Sequence, residues 1–248
     1  HENELHQIQI VLPSKRAALF LNSELKKRLG NTFFSPPILT INDFVSEFTS
    51  DVIISSEKLL FESYEVYQSL QKSDIESFDS FAKWAPSLLA DIAEVDRYLV
   101  DPKAIFSDLR NIKEIEQWSF NEPTLTQSQK SYLGFWNTIL PFYQKLHERL
   151  AKFGRITSGI AYRHLAENIE QIYTEIKPKK IYFVGFNALS NSEKTIFKFL
   201  KNFGLADVIF DVDDYYLSIH NHEAGYFYKK LKQEFNLESS WERNLIKL

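Results

Sequence analysis

Four groups of residues in this chain have types and spacing suited to chemistry. Pro13-Ser14-Lys15-Arg16 follows a short apolar run and opens a helical pattern. Backbone amides at a helix start, joined by a Lys and an Arg, suit a phosphate; the plain alternative is an exposed first turn with two solvated cations. Asp211, Asp213 and Asp214 alternate at the end of another apolar run. Hard carboxylate oxygens so placed can ligate Mg²⁺ or Mn²⁺, or they form a polar turn ahead of Tyr215-Tyr216. His220, His222 and Glu223 resemble a zinc set, yet two histidines at i and i+2 face one way only on a strand, and this stretch reads as loop into helix. Trp84, Trp118, Tyr132, Phe135 and Trp136 offer flat faces for unpaired bases, or else for helix–helix core.

Other chemistry is missing its parts. No Gly-x-x-x-x-Gly-Lys occurs, so no glycine-rich loop wraps a nucleotide's phosphates. Gly185-Phe186-Asn187 follows the run Ile181-Tyr-Phe-Val184 at the point where a Walker-type nucleotidase needs Asp-Glu for magnesium and water. An uncharged loop cannot hold magnesium that way, and a simple strand-to-helix turn is the competing reading. With no cysteine there is no disulfide, thiolate nucleophile or cysteine-ligated metal. His147 and His164 read as helix-surface residues, and no Ser/His/Asp arrangement emerges. The expectation is binding without catalysis, and no cofactor.

These residues need elements to position them. Residues 7–12 read as a strand, and Ser14 caps a helix in which Ala17, Ala18, Leu21, Leu25 and Leu29 recur at helical spacing. Gly30 and Asn31 are its stop signals. A second strand is expected over 38–41, with Asn42 or Asp43 capping a helix through Phe48. From 56 to 176 amphipathic patterns dominate, over 57–72, 78–98, 103–117, 126–153 and 158–175. Pro86 and Pro141 should kink or split two of them, and Gly154 should cap one. Strand signals return at 181–184 and 206–210. Ser190 or Asn191 caps the helix between them, Gly204 ends it, and a last helix runs from Glu223 to Phe235.

The fold class expected is α/β with a large all-helical insertion: residues 1–55 and 177–248 form one domain and 56–176 the insertion. The four strands should lie parallel in one sheet, with the loops at 13–16 and 185–187 on one edge.

Composition narrows the classes. The 248 residues are 44% hydrophobic and 25% charged, enough for one large core or two modest ones. Twenty-one Phe and 12 Tyr against 7 Gly and 8 Pro argue against an all-β fold. A net charge of −4 gives no global basic field, leaving only a local basic patch to meet an anion. No apolar run reaches about 18 residues, so no membrane span is expected. The first residues lack a signal-peptide pattern, and a cytoplasmic location is the expectation.

Taken in order, the pieces resemble the start of an AddB-type subunit of the bacterial helicase–nuclease complexes that process broken DNA ends. The residues carrying this are Ile10-Val-Leu-Pro-Ser-Lys-Arg-Ala-Ala-Leu-Phe-Leu21, Pro37-Ile-Leu-Thr-Ile-Asn-Asp-Phe44, Gly159-Ile-Ala-Tyr-Arg163, Tyr182-Phe-Val-Gly-Phe-Asn-Ala-Leu-Ser190 and Glu223-Ala-Gly225. The ordered set, rather than any single motif, carries the likeness. It implies a degenerate P-loop-NTPase-like motor domain of the superfamily-1 helicases, interrupted by the helical insertion. Pro13, Ser14, Lys15 and Arg16, with Thr40 and Asn42, would lie along single-stranded DNA. Gly185, Phe186 and Asn187 would stand in the magnesium-binding position of active motors, implying an inactive ATPase in DNA repair and recombination. An AddA-like helicase–nuclease subunit is the implied protein partner. The PD-(D/E)XK nuclease of full-length relatives has no counterpart in these residues, so the expectation is no enzyme activity here. Two rivals stay open: a divalent-metal-dependent enzyme acting on a nucleotide-type substrate through Asp211, Asp213 and Asp214, and an interaction scaffold for a helicase partner.

Overall fold

The computed structural model describes residues 5, 7–29, 34–71, 75–107, 127–172, 180–210, 215 and 223–235. In chain order, β1 (Ile8–Leu12), α1 (Lys15–Leu29), β2 (Ile38–Thr40) and α2 (Ile41–Ser46) come first. Next are β3 (Val52–Ile53), α3 (Ser56–Leu70), α4 (Phe78–Arg97), α5 (Gln127–Lys152), β4 (Arg155–Ile156) and α6 (Ser158–Glu167). Then come α7 (Ile169–Ile172), β5 (Lys180–Val184), α8 (Asn191–Asn202), β6 (Ala206–Ile209) and α9 (Glu223–Glu234). Two compact units divide the chain: residues 1–48 with 165–248, and residues 49–164. The helical block expected over 56–176 overlaps the second unit but starts and ends at different residues.

In the first unit the strands form one sheet in the order β2-β1-β5-β6, with every neighbouring pair parallel. Val11 sits opposite Leu39 on one side and Phe183 on the other, and Val184 sits opposite Ile209. All four strands therefore end on one edge, as the sequence led us to expect. Alternation builds β5: Ile181 and Phe183 are buried while Tyr182 and Val184 are half-buried. Phe183 stacks on Phe197 of α8 at 3.7 Å and meets Phe44 of α2 edge-on at 5.6 Å. Each such buried ring is worth about 1.5–3 kcal/mol of apolar burial.

Caps fix where the helices begin. Thr40, not Asn42 or Asp43, caps α2: its hydroxyl accepts the Asp43 N–H, and Asp43 in turn accepts the Thr40 N–H. The strand delivers Thr40 in an extended conformation directly at the helix start, so the cap falls earlier than residue type alone suggests. Ser190 and Glu193 make the same box at α8, whose far end turns at Gly204 with φ +71°. Ser14 accepts the Ala17 N–H at 3.3 Å. The Gly30 and Asn31 stop signals lie outside the described residues.

The second unit packs α3, α4 and α5 around Phe81, Ala85, Ile92, Leu146 and Leu150. Neither Pro86 nor Pro141 splits its helix. For α4, the buried stripe Phe81, Ala85, Leu89 and Ile92 runs through the proline, outweighing a lost helical bond worth about 3 kcal/mol. Two strands went unforeseen: β3, just ahead of the expected helical block, and β4, within it, pair in parallel, reinforced by Val52 N–H donating to the Gly154 carbonyl at 2.9 Å. Gly154 turns the chain after α5 with φ +61°, as expected. The single helix expected over 158–175 is broken at Asn168 into α6 and α7.

One buried polar cluster ties this unit together. Asp96 is fully buried; its Oδ1 accepts the Tyr143 hydroxyl at 2.6 Å and Arg163 Nε at 3.1 Å. Arg163 Nη2 also donates to the carbonyls of Val95 and Val100, at 3.1 and 2.6 Å, closing the end of α4. There Leu99 adopts φ +56°, held by the Val100 N–H reaching back to the Val95 carbonyl. His147, expected on a helix surface, is mostly buried beside Asp96, Nε2 to Oδ2 3.6 Å. Burial foremost and the Arg163 charge second hold the pKa of His147 down to about 4, so the ring is neutral at pH 7.

Candidate nucleic-acid interface

The candidate site is the sheet edge where β1, β2 and β5 end. Parallel pairing brings Pro13, Ile41 and Gly185 out on the same side. This is the edge at which open parallel sheets place ligands. Pro13, Ser14, Lys15 and Arg16 are all exposed. Lys15 and Arg16 are the first two residues of α1, whose first turn holds no acid. Among the described residues neither cation meets a carboxylate; Arg16 lies 5.8 Å from the Phe20 ring centroid.

The helices at this edge differ in charge. Carboxylates occupy the starts of α2 and α8, through Asp43 and Glu193. At α1 the order is reversed, with cations at the positive end of the helix dipole. Charges near a helix start are worth about 0.3–1 kcal/mol, favourable only when negative. An anion drawn to this edge therefore meets one unneutralised helix start, carrying both cations.

The remaining residues expected here divide. Thr40 is buried, and its hydroxyl donates to Asp43 Oδ2 at 2.7 Å while accepting the Asp43 N–H. That hydroxyl is committed to the cap rather than turned to solvent. Asn42 is exposed on the first turn of α2. Gly185 is exposed with φ +77°, a left-handed turn that disfavours any side chain. Its N–H donates to the Ile209 carbonyl at 3.0 Å. Phe186 turns inward, 5% exposed, against Phe197 at 5.1 Å. Asn187 is exposed, so it is the polar side chain of this loop that faces solvent.

Asp211, Asp213, Asp214, His220, His222 and Trp118 lie outside the described residues, as do the side chains of Tyr132, Phe135 and Trp136. Glu223 opens α9 and is exposed. No cluster of three metal-ligating side chains forms among the described residues. Trp84 serves the interior of the second unit: it packs edge-on against Phe81 and donates Nε1 to Glu76 at 3.2 Å.

Leu19 and Phe20 lie on the same helix as Lys15 and Arg16 and were not singled out from the sequence. They are 72% and 66% exposed, on a helix that buries no residue completely. A helical wheel reveals the signal: Ala17, Ala18, Leu21 and Leu25 share one side, and Leu19 and Phe20 fall on the other.

No protein-family model matches the chain. A search of curated proteins also finds no match. No described helix is long and apolar enough to cross a membrane.

Proposed function

We propose that the edge formed by β1, β2 and β5 grips single-stranded DNA by its phosphates. In this reading the chain is the non-catalytic, helicase-like N-terminal part of an AddB-type protein that repairs double-strand breaks in the cytoplasm. The sheet would then be a degenerate P-loop-NTPase-like scaffold, and an AddA-like subunit its partner. One observation carries the proposal: Lys15 and Arg16 stand exposed on a helix start that lacks a carboxylate, beside the Gly185 turn. The inward Phe186 and the uncharged loop support binding without nucleotide hydrolysis.

Two phosphate contacts give modest, sequence-tolerant affinity, falling with salt at a slope of about −1.4 in log–log form. Fluorescence anisotropy of a labelled single-stranded oligodeoxynucleotide with the 248-residue chain tests this. Replacing Lys15 and Arg16 together by Ala should weaken binding and flatten the salt slope. Unchanged affinity and slope in that variant would remove these residues from the interface.

A further inference from the structure

Helix α1 has two faces of different character. Its half-buried stripe of Ala17, Ala18, Leu21 and Leu25 packs on β1 and β2. On the opposite side Arg16, Phe20, Ser23 and Lys27 recur at helical spacing, all exposed, with Leu19 and Lys26 beside them. Cations thus bracket an apolar pair along about 16 Å of helix. The helix as a whole holds Lys15, Arg16, Lys26, Lys27 and Arg28 against the single carboxylate of Glu24, within a chain of net charge −4.

The dipole explains part of this. Lys26, Lys27 and Arg28 lie in the last turn, where cations are favoured. It does not explain Lys15 and Arg16 at the opposite end, nor the exposed Phe20 ring between the two cationic ends. A polyanion with flat apolar faces fits both features at once. Double-stranded DNA shows side chains its phosphates and hides its base faces; an unpaired strand exposes both.

We infer that the outward face of α1 is a base-contacting strip for unpaired nucleotides, with Phe20 as the stacking platform and Leu19 beside it. This rests on the proposed binding of single-stranded DNA and extends it from the backbone to the bases. Arg16 serves both: its guanidinium reaches a phosphate while flanking the Phe20 ring. Recognition is indifferent to base identity, because every base has a π face.

The test compares labelled oligothymidine with an abasic oligomer of equal length, both bound to the 248-residue chain. Phe20→Ala should weaken oligothymidine binding roughly tenfold, leave its salt slope unchanged, and not alter abasic binding. Phe20→Trp should restore the affinity. Phe20 is exposed, so neither variant threatens folding. Equal oligothymidine affinity for Phe20→Ala and the natural chain overturns the inference and leaves the phosphate proposal standing. Equal natural-chain affinity for the two oligomers does the same. Binding of neither oligomer by the natural chain overturns both. A Phe20→Ala change that dissociates a dimer in sedimentation, with nucleic-acid binding intact, gives the face to a second copy and also overturns the inference.

Discussion

At the scale of single residues, the second unit is governed by a charge the sequence does not advertise. Asp96 is joined to Tyr143 and Arg163, which lie 47 and 67 residues further on, so no local pattern announces the cluster. Residue type misleads for the same reason at His147, which reads as a surface position on an amphipathic helix. Its burial follows from where α5 faces α4, a tertiary fact. Among the described residues His147 Nε2 has no hydrogen-bond partner. Asp96, Arg163 and Tyr143 are titratable groups that lie near it among the described residues. A ring held at about 4 in the fold and near 6.5 when unfolded makes stability pH-dependent. Between those values the unfolded chain binds the extra proton. The contribution is therefore complete above about pH 6.5 and is lost as pH falls toward 4, with a slope approaching about 1.4 kcal/mol per pH unit. His147→Leu should remove that slope. Urea unfolding at pH 7, 6 and 5 compares the two proteins, and parallel pH profiles would mean that the ring takes up its proton alike in the folded and unfolded chain.

At the scale of elements, one close approach decides how α6 meets α4. A Cβ placed on Gly159 would lie 2.5 Å from the Ala93 carbonyl oxygen and 2.9 Å from its Cα. Two effects compete in Gly159→Ala. Helix propensity favours alanine by about 0.8–1 kcal/mol in a helix interior, and less near the start of α6 where Gly159 lies. The clash is with backbone, which cannot rotate away, and overpacking of this sort costs about 1–3 kcal/mol. The clash wins, so the variant should lose stability, seen as an earlier urea midpoint at unchanged m-value. A gain would mean that α6 stands off from α4 in solution. Elements with their own periodicity were legible in the sequence: β1, β5 and β6, helices α1, α3, α4 and α5, and the turns at Gly154 and Gly204 all fall within a residue or two of expectation, whereas the helix expected over 103–117 lies mostly outside the described residues. The pair β3–β4 was not, because two residues per strand are too few to display alternation. The candidate edge was legible because strand ends and Lys15-Arg16 are adjacent in sequence. The commitment of Thr40 to its cap and the inward turn of Phe186 were not legible, since capping and inward packing depend on φ/ψ and neighbours rather than residue type.

At the scale of the whole molecule, two units within one chain raise the question of which could fold alone. The unit over 49–164 is continuous in sequence, whereas the sheet-bearing unit is assembled from two separated segments. Its core of Phe81, Ala85, Ile92, Leu146 and Leu150 is drawn from within those limits, each residue 0–1% exposed. Its two ends are also joined: the Val52 N–H bonds the Gly154 carbonyl, and the Ile54 N–H bonds the Ile156 carbonyl at 3.0 Å. A linking ion network adds Arg149 to Glu62 and Glu65, with Arg155 Nη1 on Glu62 at 3.0 Å, though partly exposed pairs of this kind contribute little individually. The segment falls in the usual size range of independent domains, about 100–150 residues. Expressed by itself, 49–164 should therefore fold to a helical protein with one cooperative thermal transition and coincident far- and near-UV signals. It should also fail to bind oligothymidine, because Lys15, Arg16 and Phe20 lie in the other unit. A gradual, probe-dependent melt would mean that this core is completed only in the intact chain. Tight oligothymidine binding by the isolated segment would overturn the proposed placement of nucleic acid at the sheet edge.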